Sequence, residues 1–112
     1  MAKKLPNADR ARIDRKKITE YLLCRSHPDG MHKAAFFESF GFKIEEWEVL
    51  ADAFRRHGQR HFVAQTVESE HGTRYSVDGE METPDGRNPE LRTVWIVELE
   101  SDNPRFVTAY PI

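Results

Sequence analysis

The hydrophobic period of this chain changes at Gly58. Before this glycine, the i, i+3, i+4 and i+7 spacing of an amphipathic helix is occupied by Trp47, Leu50, Ala51 and Phe54. After it, apolar and polar residues alternate with a period of two, which is typical of strands that bury one face. A chain that forms helices first and strands afterwards is predicted to be an α+β domain, with the helices packed on an antiparallel sheet.

Three helices are predicted in the first half of the chain, over residues 15–25, about 30–40 and about 45–57. Asp14 is placed to cap the first helix, and Ile13 and Ile18 have the spacing of a hydrophobic staple. Glutamates at the start of the third helix and basic residues at its end both match the helix dipole. Gly58 is predicted to end this third helix.

The second helix is predicted to be the central rib of the core. It follows a Pro-Asp-Gly sequence, and the carboxylate of Asp29 can cap its first turn. Its apolar face consists of Phe36, Phe37 and Phe40. Gly41 suits the left-handed position after a helix, which lets Phe42 pack back on Phe37.

Four strands are predicted in the second half, over residues 61–67, 73–82, 91–99 and 105–110. The connections are short and rich in turn residues, so the strands should form a meander. The third strand is apolar on both faces near its middle, as expected of a central strand. The whole chain, 112 residues, has the size of one domain, with residues 1–12 as an extended basic arm, 13–58 helical and 59–112 forming the sheet.

Charge is unevenly distributed along the chain. Residues 1–60 hold 13 Lys and Arg against 9 Asp and Glu, whereas residues 61–112 hold 4 against 10. The basic half could face phosphates and the acidic half a basic partner. A single cysteine excludes an internal disulfide, and the sequence shows no signal region and no apolar run of the ~18 residues that a membrane span needs, so we expect a cytoplasmic protein.

Motifs for metal and nucleotide chemistry are absent from the sequence. His57 and His61 are four residues apart, but Gly58 lies between them, and there is no cysteine pair and no His-Glu-x-x-His motif. No glycine-rich phosphate-binding loop occurs. We therefore expect neither a metal ion nor a cofactor.

Metal-free RNA cleavage is compatible with the residues present. Attack by the 2′-hydroxyl needs a base, an acid and cations around the phosphorane, which His, Lys, Arg, Thr and Tyr can supply. Each candidate also has a structural reading: the threonines favour strands, the arginines can be solvated, and the tyrosine can belong to the core. The candidates are His27, Lys33, Arg92, Thr93, Arg105, Thr108 and Tyr110.

Ordered blocks along the chain resemble an uncharacterised bacterial domain family that also occurs as the C-terminal module of contact-dependent and other polymorphic toxins. The blocks are Leu5-Pro6-Asn7-Ala8, Tyr21-Leu22-Leu23, His27-Pro28, Lys33-Ala34, Phe36-Phe37, Gly41-Phe42, Arg92-Thr93-Val94-Trp95-Ile96 and Thr108-Ala109-Tyr110. The order of helices and strands is also similar to the barnase/EndoU/colicin/RelE superfamily of small ribonucleases, a likeness of fold alone. The resemblance implies an open sheet face that binds RNA, and it assigns the toxin-module site to His27, Lys33, Thr93, Arg105, Thr108 and Tyr110.

Two hypotheses follow for the function. In the first, the domain is a metal-independent ribonuclease toxin controlled by an antitoxin: His27, Lys33, Thr93 and Thr108 are catalytic, and Arg92, Arg105 and Tyr110 bind the RNA. In the second, it is a non-enzymatic protein-binding module, antitoxin- or immunity-like, that uses the acidic sheet half. Exposed acidic positions at Asp78, Glu80 and Glu82 favour the second hypothesis.

Overall fold

A computed structural model describes residues 3–24, 26–28 and 31–112, and within these ranges three helices precede a four-stranded sheet. Helix α1 begins as an α-helix at Arg15–Lys17 and continues as a π-helix over Ile18–Leu22. Helices α2 and α3 span Met31–Ser39 and Trp47–Arg60. The strands are β1 (Val63–Ser69), β2 (Gly72–Glu80), β3 (Glu90–Glu98) and β4 (Arg105–Pro111). The predicted α+β class, with helices before strands, is confirmed.

The sheet is an antiparallel meander in the order β1-β2-β3-β4, so β1 and β4 are its edges. One face packs on the helices and buries the β3 side chains Leu91, Thr93 and Trp95. The other face, which we call the open face, carries the alternate β3 residues, among them Arg92 and Val94. The register therefore decides which polar residues of β3 meet solvent.

An aromatic chain fills the core between the helices and the sheet. Phe37 packs edge to face on Phe54, with ring centres 5.6 Å apart. Phe54 stacks on Phe106 at 4.6 Å, and Phe106 meets Trp95 at 5.4 Å. All four rings are essentially inaccessible to solvent, and burying each is worth roughly 1.5–3 kcal/mol. Of the three phenylalanines predicted for the apolar face of α2, Phe37 is buried in this core, and Phe36 and Phe40 are half-buried.

Local signals at two helix ends behave as predicted. The side chain of Asp14 accepts a hydrogen bond from the Lys16 backbone and caps α1. After α2, Gly41 adopts a φ of 101°, and the backbone N–H of Phe42 donates to the carbonyl oxygen of Phe37. This is the Schellman arrangement that the glycine predicted. Asp29, the predicted cap of α2, lies outside the described residues.

Two expectations need correction. Gly58 does not end α3, which continues to Arg60; the glycine is buried, and a Cβ there would lie 3.1 Å from Cζ2 of Trp95. Close packing between helix and sheet, and not helix termination, accounts for this glycine. The N-terminal segment is also packed and not extended into solvent: Leu5 is buried, and Arg12 pairs with Arg105 alongside β4.

Candidate functional site

Lys33 reaches from α2 across to the edge strand β4. Its ammonium nitrogen lies 2.7 Å from the hydroxyl oxygen of Thr108, to which it donates a hydrogen bond. The same nitrogen lies 5.3 Å from the ring centre of Tyr21 and 5.7 Å from that of Tyr110, within cation–π range. No carboxylate of the described residues forms an ion pair with it. A cation held by neutral partners can accept an anionic ligand without first breaking an ion pair.

Arg92 lies on the open face, on the strand next to Tyr110. In the sheet register it is directly opposite Asp78 on β2 and Tyr110 on β4. Its Nε and Nη2 atoms donate to the two carboxylate oxygens of Asp78 over 2.7 and 2.8 Å. These bonds hold the pKa of Asp78 below its ordinary value, and Asp78 followed by Tyr110 raises the pKa of Arg92 above its ordinary value. Both groups are therefore charged at neutral pH.

We call the group formed by Lys33, Thr108, Tyr110, Arg92 and Asp78 the edge cluster. Four of its members come from three neighbouring strands, β2, β3 and β4, and the bond from Lys33 adds α2. It contains four of the seven residues predicted for the site. Asp78 was considered only as part of an acidic surface, since no sequence signal shows that Arg92 faces it.

Tyr21 lies between His27 and the edge cluster and contacts both. The ring of His27 packs edge to face on Tyr21, with ring centres 5.1 Å apart, and Tyr21 also contacts the ammonium of Lys33. Tyr21 belongs to the π-helical part of α1 and is half-buried. Its spacing with Ile18 and Leu22 is that of the buried face of a helix, so the sequence gives no sign that Tyr21 lies beside the site.

Thr93 is not in the edge cluster. It is directly opposite Ala109, whereas Thr108 is opposite Val94, so the two threonines face opposite sides of the sheet. The Thr93 side chain is fully buried among the core residues. The expectation that the two threonines line one hollow is therefore wrong.

The hydroxyl of Thr93 has two partners in the core. Nε1 of Trp95 donates to it over 2.9 Å, and Nδ1 of His57 lies 3.0 Å away. Nε2 of His57 faces the carbonyl oxygens of Gly79 and Leu91 at 3.0 and 3.2 Å. Because carbonyls only accept hydrogen bonds, the proton of His57 is on Nε2, and Nδ1 accepts from Thr93.

Arg105 lies on the open face but at the other end of β4. It is directly opposite Ile96, and its Nε donates to Glu98 over 3.0 Å. It is three positions from Thr108, which corresponds to roughly 10 Å of strand. Arg105 is therefore on the same face as the edge cluster without being part of it.

A groove of about 270 Å³ opens between α2 and β4, next to Lys33. Its walls are mainly apolar and come from His32, Lys33, Phe36, Phe37, Ala109, Tyr110 and Pro111. The tyrosine thus borders both the groove and the edge cluster. A flat apolar group attached to an anion would fit this combination of walls and charge.

The acidic row proposed for a basic partner is partly neutralised. Asp78 is held by Arg92, and Glu82 is hydrogen-bonded to Arg60 and lies 4.0 Å from Arg56. Exposed carboxylates remain at the tip of the β1–β2 hairpin, where Glu68 and Glu70 lie. Exposed carboxylates therefore lie at both ends of β2, at the hairpin tip and at Glu80.

Within residues 3–24, 26–28 and 31–112, no three His, Cys, Asp or Glu side chains gather into a group suited to a metal ion. Over the same ranges, none of the helices combines the length and the apolar character that a membrane crossing requires.

Comparisons with known proteins place this fold in a family. A model of the domain of unknown function DUF6883 matches residues 4–112. The chain belongs to this family. A search of curated proteins gives no match to the DUF6883 domain described here.

The fold is similar to that of a chain in a solved structure. That structure is a contact-dependent growth inhibition toxin–immunity protein complex from Klebsiella pneumoniae 342. The superposition has a TM-score of 0.71 and 17% sequence identity, and it covers 89% of this chain and 98% of the matched chain. At this identity the likeness establishes the fold alone.

Proposed function

We propose that this domain is a metal-independent ribonuclease toxin module whose reaction centre is the edge cluster. The observation that carries the proposal is the 2.7 Å contact between Lys33 and Thr108, in a setting where the ammonium meets neutral partners. The similar fold found in a toxin–immunity complex supports a role in such a pair and fits either member. The composition of the edge cluster favours the toxin.

The reaction would be an internal transesterification of RNA. The 2′-oxygen bonds to the neighbouring phosphorus, its proton passes to a base, and the bond from phosphorus to the 5′-oxygen breaks. The leaving oxygen takes a proton, which gives a 2′,3′-cyclic phosphate and a 5′-hydroxyl. This chemistry needs proton transfer and charge stabilisation and can proceed without a metal ion.

Each residue of the site has a role in this proposal. Lys33 and Arg92 hold the non-bridging phosphate oxygens, as ammonium and guanidinium groups commonly do. Thr108 orients Lys33, and Tyr110 binds the nucleotide at the border of the groove. His27, which contacts Tyr21 at the edge of the cluster, donates or accepts a proton. Thr93 has no part in this scheme, because it faces the core.

The test is cleavage of end-labelled RNA by the purified domain in EDTA. We expect Lys33→Met and Thr108→Val to lower the cleavage rate at least 100-fold, with thermal unfolding curves showing that both variants fold. Lys16→Met and Thr66→Val are the matched controls, because both side chains are exposed away from the edge cluster. Intact RNA with the wild-type domain, together with normal growth of a host that expresses it without a partner, would refute the proposal.

The alternative is an immunity-like module that binds a basic protein through the β1–β2 hairpin. Two exposed glutamates favour it: Glu68 lies on the edge strand β1, whose residues 64–69 are all exposed, and Glu70 lies in the turn that follows. Affinity capture from native lysate, with the double variant Glu68→Lys, Glu70→Lys as the comparison, tests this function. Partners retained by the double variant count against it.

A further inference from the structure

A second cationic site lies where the N-terminal segment runs beside the start of β4. The hollow there has a volume of about 400 Å³, and its walls come from Ala11, Arg12, Ile13, Asp14, Arg55 and Arg105. Three of these residues are arginines and one is a carboxylate. The carboxylate of Asp14 already accepts the capping hydrogen bond of α1. The residues that line the hollow therefore carry a formal charge of +2, from three arginines and one aspartate.

The backbone of Arg12 bonds to the two residues that flank Arg105. The N–H of Arg12 donates to the carbonyl oxygen of Pro104, and the N–H of Phe106 donates to the carbonyl oxygen of Arg12, both over 2.9 Å. This parallel bridge places Arg12 opposite Arg105. Like charges directly opposite each other on adjacent strands destabilise a sheet. An anion bound between the two guanidinium groups would remove this repulsion.

The existing ion pairs of this site are open to competition. Arg105 pairs with Glu98 and Arg55 pairs with Asp52, and the two carboxylate side chains are 48% and 58% exposed. Exposed pairs of this kind contribute little stability. Arg12 is exposed, and in the described part of the chain it has no ion pair. A phosphate can therefore compete for Arg55 and Arg105 at small cost, and it meets Arg12 without an ion pair to break.

The hollow and the edge cluster share one strand. Arg105 and Thr108 both lie on the open face, opposite Ile96 and Val94 respectively, with a register shift between them. Their separation along β4, roughly 10 Å, spans at most three phosphates at the ~3.4 Å spacing of a duplex strand and fewer in an extended strand. A single RNA strand could therefore occupy both places.

We propose that the hollow lined by Arg12, Arg55 and Arg105 binds a backbone phosphate of the RNA, within three nucleotides of the phosphate held by Lys33. The proposal rests on the proposed RNA substrate. It assigns Arg105 to this second site, separate from the reaction centre. Affinity should therefore depend on substrate length, because a dinucleotide has one phosphate and cannot occupy both sites.

The test compares two non-cleavable RNAs, a 2′-O-methyl dinucleotide and a 2′-O-methyl octamer, by fluorescence anisotropy at several salt concentrations. We expect Arg12→Gln to weaken binding of the octamer at least fivefold and to leave binding of the dinucleotide unchanged. The slope of log affinity against log salt should fall in magnitude by about 0.7 for the lost phosphate contact. Arg55→Gln should give the same result and does not alter the Arg12 bridge.

Arg10→Gln is the matched control, because it removes the same charge from an exposed position of the same segment outside the hollow. Equal weakening by Arg10→Gln and Arg12→Gln would overturn the proposal, since it would show only general charge attraction. The proposal would also be overturned if Arg12→Gln weakened binding of the dinucleotide and the octamer equally. It would likewise be overturned if Arg12→Gln and Arg55→Gln left the octamer affinity unchanged. Failure of the proposed function looks different: the octamer binds with the expected dependence on Arg12, but the wild-type domain cleaves no RNA.

Discussion

Nδ1 of the buried His57 lies 3.0 Å from the hydroxyl of Thr93 and joins helix α3 to the central strand β3. The other ring nitrogen, Nε2, faces carbonyl oxygens of Gly79 and Leu91, so the neutral ring is fully satisfied. Burial lowers the pKa of His57, because a charged imidazolium loses its hydration there. The hydrogen bonds among His57, Thr93 and Trp95 should therefore affect the stability of the fold and not the chemistry of the edge cluster.

Stability should fall in mild acid because of His57. The unfolded chain binds a proton to this histidine near pH 6.5, whereas the folded chain resists protonation, so the unfolded state gains protons first. The free energy of unfolding should be constant above that pH and decrease as the pH drops through about 6.5 toward the lower folded pKa. The slope for one such group is at most about 1.4 kcal/mol per pH unit. Urea unfolding at pH 8, 7, 6 and 5 measures it.

His57→Gln should reduce this slope between pH 7 and 5 while lowering stability at pH 8. His32→Gln is the control, because His32 is exposed and its replacement should leave the slope unchanged. An equal slope in wild type and His57→Gln would show that another group is responsible.

Thr93→Val should destabilise the fold without affecting the reaction centre. The valine leaves Nδ1 of His57 and Nε1 of Trp95 without their buried partner, which costs about 1–3 kcal/mol. Thermal and urea unfolding measure the loss, and Thr66→Val on exposed β1 should change stability by less than about 0.5 kcal/mol. If Thr93→Val instead abolishes RNA cleavage at unchanged stability, the catalytic role predicted for Thr93 is restored.

The two threonines show where sequence reasoning reaches its limit. The change of period at Gly58 predicts helices and then strands, because burial imposes those periods on each kind of element. The facing of Thr93 depends on the register of β3, and the facing of Thr108 depends on the irregularity where β4 holds one extra residue between Phe106 and Thr108. The run Val94-Trp95-Ile96-Val97 is apolar on both parities, so its pattern does not indicate which parity faces the helices.

Only part of the candidate site could be predicted, because its geometry also depends on contacts that the sequence pattern does not show. Lys33 stands out in sequence as a cation among phenylalanines, and its contact with Thr108 joins two residues that were both predicted for the site. The positions of Tyr21 and Asp78 depend on contacts between segments far apart in sequence. Gly58 is a further example. A glycine after a helical pattern usually ends the helix, and only the structure shows that Gly58 instead allows α3 to pack closely on Trp95.

Gly58→Ala should lower stability although alanine favours helices. The substitution gains about 0.5–1 kcal/mol in helix propensity. Its Cβ would lie 3.1 and 3.3 Å from two ring atoms of Trp95, which is fully buried and hydrogen-bonded to Thr93 and therefore cannot move aside easily. Overpacking typically costs about 1–3 kcal/mol, so the net change should be a loss.

Differential scanning calorimetry of Gly58→Ala measures the sign, with Gln59→Ala at the next, exposed position as the control. A higher melting temperature for Gly58→Ala than for wild type would show that the helix and sheet separate easily at this contact.

Asp78→Asn should strengthen RNA binding at the edge cluster. The carboxylate of Asp78 now receives two hydrogen bonds from Arg92 and competes with a phosphate for the same guanidinium. The asparagine keeps the shape and one acceptor oxygen but removes the negative charge, so we expect affinity for a non-cleavable RNA to rise about three- to tenfold, roughly 0.7–1.4 kcal/mol.

Arg92→Gln should weaken binding, and the double variant should match Arg92→Gln, because Asp78 acts through Arg92. Glu98→Gln, which removes the same charge beside Arg105 at the far end of the open face, should leave binding of a one-phosphate dinucleotide unchanged. Fluorescence anisotropy on the four variants checks this order, and a gain from Asp78→Asn that persists in the double variant would show that the carboxylate repels RNA directly without acting through Arg92.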